Sequence, residues 1–189
     1  MKAPIIKTLT FLLIAFLFLS FDLPKGWFIA GSEPKSYDMG IAKGEGRDGK
    51  NCATIKSINK KIDGFGTLMQ IIDPELYLGK RIRMSAFVKS VKVTDWAGLW
   101  LRVDELGTDN PLSFDNMGDR PIKGNTEWKK YEIVLDVPEK AYKLAFGALL
   151  GGTGQIWFDE IKFEIVDKTV PTTGGSITPK EPTNLNFDK

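Results

Sequence analysis

Two stretches of this chain concentrate side chains suited to holding a polar molecule: Trp96-Ala97-Gly98-Leu99-Trp100-Leu101-Arg102-Val103-Asp104 and Ser113-Phe114-Asp115-Asn116-Met117-Gly118-Asp119-Arg120. A guanidinium offers a planar fork of donors, and a Trp offers a flat face that suits the apolar side of a sugar ring. Asp and Asn add hydrogen-bonding capacity. In an extended chain alternate side chains point to opposite faces, so Leu99, Leu101 and Val103 share one face while Trp100, Arg102 and Asp104 share the other. That second face suits stacking on and hydrogen bonding to a polar ligand, which is recognition rather than catalysis. A competing account has Trp100 packed under a loop and Arg102 paired with Asp104 or Asp115. In the loop, Asp115 and Asn116 favour turns by bonding their own backbone. Arg120, immediately before Pro121, is presented reproducibly because the proline restrains the chain, which points to ligand contact.

Composition removes several chemistries. The chain has no histidine, so a Ser-His-Asp triad, a Cys-His pair and histidine-ligated zinc are excluded. Its one cysteine, Cys52, has no internal disulfide partner and lies in the strand-like Asn51-Cys52-Ala53-Thr54-Ile55, where a buried structural thiol is expected. A glycosidase would need two carboxylates poised across a cleft; Asp104, Glu105, Asp115 and Asp119 are the acids available. The net charge of +2 comes from 26 basic and 24 acidic residues interleaved along the chain. No basic stripe and no recognition helix stand out, so nucleic acid is not an expected partner.

The elements that must position these residues read as strands. A length of 189 residues allows one domain with a real core. Short runs rich in Ile, Val, Phe and Trp are broken by Gly, Pro, Asp and Asn. The candidate strands are Trp27–Gly31, Tyr37–Ala42, Cys52–Ile58, Gly66–Ile72, Arg81–Ser90, Ala97–Asp104, Trp128–Val137, Lys143–Leu150 and Gln155–Val166. Tyr131, Ile133, Leu135 and Val137 form a clean inward face. Helix is expected only near Asp73–Leu78. The pattern implies an all-β sandwich of two packed antiparallel sheets, or jelly roll, over residues 23–167.

Both ends differ from this body. Lys2 and Lys7 accompany the uncharged run Leu9–Leu19, which is short for a membrane span and suits the core of a signal peptide. Residues 1–22 are thus expected to be a signal peptide or an N-terminal membrane anchor, and the protein to be extracytoplasmic, secreted or membrane-associated. Residues 168–183 are rich in Pro, Thr and Gly and read as a linker. Residues 184–189 alternate apolar Leu185 and Phe187 with polar neighbours, echo Leu19-Ser20-Phe21-Asp22, and are expected to dock as a short edge strand.

The order of several short motifs also carries a resemblance. They are Lys25-Gly26-Trp27, Arg47-Asp48-Gly49-Lys50-Asn51-Cys52-Ala53, Gly66-Thr67-Leu68-Met69-Gln70, Leu78-Gly79-Lys80-Arg81, Thr126-Glu127-Trp128 and Gly154-Gln155-Ile156-Trp157-Phe158-Asp159-Glu160-Ile161. In this order the chain resembles the galactose-binding-like jelly roll of many carbohydrate-binding modules. Phe114-Asp115-Asn116-Met117-Gly118-Asp119-Arg120-Pro121-Ile122 further resembles a stretch in the C-terminal domain of bacterial arabinose-regulator-type proteins. The jelly-roll order would set Gln70 on a strand neighbouring Trp100 and Arg102. The ligand-binding set implied is therefore Gln70, Trp96, Trp100, Arg102, Asp115, Asn116 and Arg120. The resemblance also implies Trp27, Trp128 and Trp157 as core aromatics, and Asp22 with Asp159 as ligands of a structural calcium. It implies a non-catalytic module for a carbohydrate or other small polar ligand. A sensory or protein-interaction domain and a small glycoside hydrolase are the alternatives.

Overall fold

The computed structural model describes residues 21–174. Residues 1–20 of the expected signal or anchor segment 1–22 and the terminal segment 184–189 lie outside the described residues. Nine strands form: β1 Phe28–Gly31, β2 Tyr37–Ala42, β3 Cys52–Ser57, β4 Phe65–Ile72, β5 Arg81–Asp104, β6 Pro111–Asp115, β7 Ile122–Asp136, β8 Lys143–Gly151 and β9 Gln155–Val166. All pairings are antiparallel, and the hydrogen-bonded order is β1-β4-β8-β5-β9-β3-β2, with β6 and β7 also on β5. The expected helix is a three-residue 3-10 turn, Glu75–Tyr77, opened by Asp73 accepting the Glu75 N–H at 2.8 Å.

The 24-residue β5 organises the fold. Its first half lies between β7 and β9; its second half lies between β8 and β6. Each half belongs to a different layer, so one hydrogen-bonded network folds over on itself as a two-layer jelly roll. The back layer is β2-β3-β9-β5-β7 and the front layer β1-β4-β8-β5-β6. Ile82, Met84, Ala86 and Val88 are buried from the first half, and Ala97, Leu99, Leu101 and Val103 from the second. The buried set changes from even to odd positions, which requires an extra residue. Register shifts between Val88 and Ala97, with Lys92 at φ 53°, supply it. The sequence suggested two strands separated near Val91–Trp96; β-branched Val91, Val93 and Thr94 instead carry the chain through as a bulged strand. Strand β6 was hidden because it opens with Pro111, whose missing N–H is tolerated at a strand start.

Both layers bury one core. Phe146 of β8 packs edge-on against Phe163 of β9 at 4.9 Å, and Trp27 meets Phe146 at 5.6 Å and Phe158 at 6.0 Å. Ile133, Leu135 and Val137 are buried, with Tyr131 packed against them, as the alternation predicts. Cys52 is buried too, and burial pushes its thiol up to about 12.

Trp27 is a core aromatic, but Trp128 and Trp157 are not. Ile156 and Phe158 turn inward, so Trp157 between them turns outward opposite Thr54 and Lys89, its Nε1 donating to Glu45 at 2.6 Å. Trp128 is half-buried and lies outside the core cluster. After β9 the chain crosses to the β7 edge instead of leaving the domain. Arg81 Nη1 donates to Lys168 O and Val170 O, and Thr173 N donates to Val134 O at 2.8 Å. The first part of the expected linker is therefore held on the sandwich.

Candidate functional site

The outward face of the front layer carries a groove of about 450 Å³. Alternation selects its lining: Phe65, Thr67, Met69 and Ile71 from β4, Ala145 and Leu149 from β8, Trp96, Trp100, Arg102 and Asp104 from β5, with Phe114, Asn116 and Lys143 at the margin. Trp100, Ala145 and Leu149 form a small apolar cluster separate from the main core, with Phe65, Met69 and Trp96 against it. This is the floor.

Trp100 is only 9% exposed. Its Nε1 donates to Thr67 Oγ1 at 2.8 Å, and Thr67 Oγ1 donates to Ala148 O at 2.7 Å. β8 lies between those two strands, and Gly147 is the residue paired with both Trp100 and Met69. A Cβ at Gly147 would sit 2.3 Å from Leu68 O, so the position needs glycine, and the bare backbone lets the indole lie across β8.

One end of the groove is charged. Arg102 Nε donates to Asp104 Oδ1 at 2.6 Å and Nη2 donates to Asp109 O at 2.6 Å. Lys143 Nζ stands 3.7 Å from Asp104 Oδ2, and the Asp104 side chain is 6% exposed. Phe114 pairs opposite Arg102 on β6 and is 40% exposed, which gives the margin an open aromatic face.

The structure thus brings Trp96, Trp100, Arg102 and Asn116 together at one groove and places three expected residues elsewhere. Gln70 pairs with Phe146, whose side chain is in the core, and so lies on the opposite face of β4 from Thr67 and Met69. Asp115 pairs with Leu101 and is buried; it accepts the Met117 N–H at 2.8 Å and both Nη atoms of Arg120. Arg120 also donates to Asp119 at 2.8 Å and to Glu132 O at 3.2 Å. The Asp115–Arg120 pair clasps the β6–β7 loop to β7, with Met117 at φ 59° tucked under it and only 1% exposed. Asn116 alone of that loop lines the groove, its Oδ1 accepting the Gly118 N–H at 3.1 Å. Thr67, Met69, Leu149, Phe114 and Lys143 were missed. Alternation along β4 and β8 carried the signal, had Met69 rather than Gln70 been taken as the outward position.

The acids considered for catalysis are dispersed. Asp104 lines the groove; Glu105 pairs with Lys140 at 2.7 Å, and Asp115 and Asp119 are engaged by Arg120. The expected calcium ligands fit a cation poorly. Asp22 is ion-paired to Lys43 at 2.8 Å, and Lys43 holds its carboxyl below the usual range. Asp159 accepts the Arg47 N–H at 3.3 Å and the Glu160 N–H at 2.8 Å. Among the described residues no three acidic or thiol side chains gather to hold a metal, and no helix is long and apolar enough to cross a membrane.

Known structures share this architecture. The CBM22-1 xylan-binding domain of Paenibacillus barcinonensis Xyn10C superposes with a TM-score of 0.54 at 14% identity, covering 78% of this chain and 90% of that one. The enzymatically active domain of bacteriophage CBA120 tailspike protein 4 gives 0.57 at 12% identity, over 75% of this chain and 20% of that one. The CBM22-1-GH10 modules of Clostridium thermocellum xylanase 10B give 0.53 at 15% identity, over 74% and 26%. The fold is the jelly roll of carbohydrate-binding modules. In sequence, the Bacillus subtilis (strain 168) protein described as the uncharacterized HTH-type transcriptional regulator YbfP is 44% identical over 169 residues. That match covers 87% of this chain, which spans only 57% of the relative's length. No protein-family model matches the chain.

Proposed function

We propose that this chain is a non-catalytic carbohydrate-binding module that holds a saccharide in the groove on its front layer. One observation carries the reading: an outward groove of about 450 Å³ with a Trp100-centred apolar floor, an exposed Phe114 and a polar end at Arg102. Sugar rings present an apolar face for stacking and a rim of hydroxyls for hydrogen bonding, and this lining offers a partner to each. The name of the Paenibacillus barcinonensis neighbour includes xylan binding, so xylo-oligosaccharides are a natural first probe. Thermal-shift and calorimetric titration against a glycan panel test the reading. Stabilisation by at least one glycan without its turnover is expected; a panel with no binder, or a glycan that is cleaved, overturns it.

A second reading follows from the sequence relative, whose name places it among transcriptional regulators. In such a protein this domain would act as the ligand sensor, using the same groove. The described residues hold two 3-10 turns and no helix-turn-helix. For this chain we propose export, supported by Lys2, Lys7 and the uncharged Leu9–Leu19. Cell fractionation should recover the protein outside the cytoplasm; full-length soluble protein in the cytosol would refute export and favour the sensor reading.

A further inference from the structure

We propose that the groove selects an anionic saccharide and seats the carboxylate of a uronic acid at its Arg102–Lys143 end; this rests on the carbohydrate reading of the same groove. The ionisable residues of the groove lining are Arg102, Asp104 and Lys143. Asp104, its side chain 6% exposed, stands between the two cations, at 2.6 Å from Arg102 Nε and 3.7 Å from Lys143 Nζ. One carboxylate between two cations leaves one positive charge in excess. A neutral sugar leaves that charge unused, whereas a single carboxylate matches it.

The donors are also placed to receive it. Bonds to Asp104 and to Asp109 O hold the guanidinium in one orientation, and Nη1 makes no hydrogen bond among the described residues. The Arg102 and Lys143 side chains are 36% and 43% exposed, so both reach solvent at the groove end. A fork held in advance loses little freedom when it binds. Of the nearby acids, Glu105 is paired with Lys140 at 2.7 Å, and Asp109, whose carbonyl holds Arg102, lines an adjoining hollow that Lys143 also borders. Phe114, opposite Arg102, sets a flat aromatic face beside the charges. A sugar ring stacked there would carry its C5 carboxylate next to Arg102 and Lys143.

The test is calorimetric titration of the full chain with trigalacturonate and a glucuronate-substituted xylotetraose, each beside its carboxyl-reduced counterpart. At low salt, at least one acidic probe is expected to bind about tenfold or more tighter than its reduced form, and the gap should shrink as salt is raised. Lys143→Gln should narrow the gap and Lys143→Arg should keep it; thermal melts of both variants identify any loss of folding. Equal affinity for acidic and reduced probes overturns the anion preference and leaves the carbohydrate reading standing. A gap unmoved by Lys143→Gln in the folded protein overturns the seat. If no probe binds, acidic or neutral, the uronate seat falls, and the glycan panel decides the carbohydrate reading separately.

Discussion

Trp100 and Thr67 are joined across an intervening strand: the indole Nε1 on β5 donates to the hydroxyl oxygen on β4 at 2.8 Å, over the backbone of β8. Because Thr67 passes its own proton to Ala148 O, both polar atoms are satisfied beneath the groove. The central ring of the floor is therefore fixed by a polar contact as well as by packing. Thr67→Val keeps the shape of the side chain but leaves Nε1 without its acceptor. A loss of about 1–3 kcal/mol is expected, read from urea denaturation, with a change in tryptophan fluorescence.

Trp100→Ala should cost more. The ring is mostly buried, and removing it leaves a gap between Ala145 and Leu149. Truncations of this kind cost about 3–5 kcal/mol, so loss of binding in this variant would come with loss of stability. Trp100→Phe, which retains much of the volume, should retain more of both. Denaturation midpoints measured beside ligand titrations separate the two effects.

Asp115 and Arg120 should behave as structural residues. Asp115→Ala strands the Arg120 guanidinium and frees the Met117 N–H, while Arg120→Ala leaves a buried carboxylate unpaired. Each is expected to cost about 3 kcal/mol in chemical denaturation. Asn116→Ala, on the groove side of the same loop, should weaken ligand binding with a much smaller change in stability.

Stability should fall in alkali. Burial raises the Cys52 thiol from 9.0 and the Tyr37 phenol from 10.0, each to about 12. Tyr37 has one hydroxyl proton to share between Gly152 O at 2.9 Å and Gly64 O at 3.1 Å, and ionisation would remove it. Above pH 9 the unfolded chain releases protons that the folded chain keeps. Their contribution is therefore whole below pH 9 and declines as pH rises toward 12. Denaturation midpoints across pH 8–11 should show the decline, and Cys52→Ala with Tyr37→Phe should flatten it. The thiol should react with a disulfide reagent only after unfolding.

The all-β class, most strand positions and the inward set Leu99, Leu101 and Val103 were legible in the chain, because period-2 alternation is a local property. The groove face was half legible for the same reason: Trp96, Trp100 and Arg102 follow from the parity of one strand. Gln70 did not, since choosing between it and Met69 required the β4–β8 register. Trp128 and Trp157 were expected inward from the jelly-roll resemblance, whereas strand parity turns Trp157 outward.

What the amino-acid order determined by itself was therefore a β-sandwich with one polar aromatic face and no histidine chemistry. Tertiary structure decided the rest. It merged two expected strands into the bulged β5 that joins both layers, and it drew Asp115 and Arg120 into a loop clasp. It also assembled the groove from β4, β5, β6 and β8. The reason is physical: alternation fixes the direction of a side chain relative to its own strand, while a groove depends on which strands become neighbours and in what register. Those pairings join residues as distant as Thr67 and Leu149, and only burial of the shared core selects them.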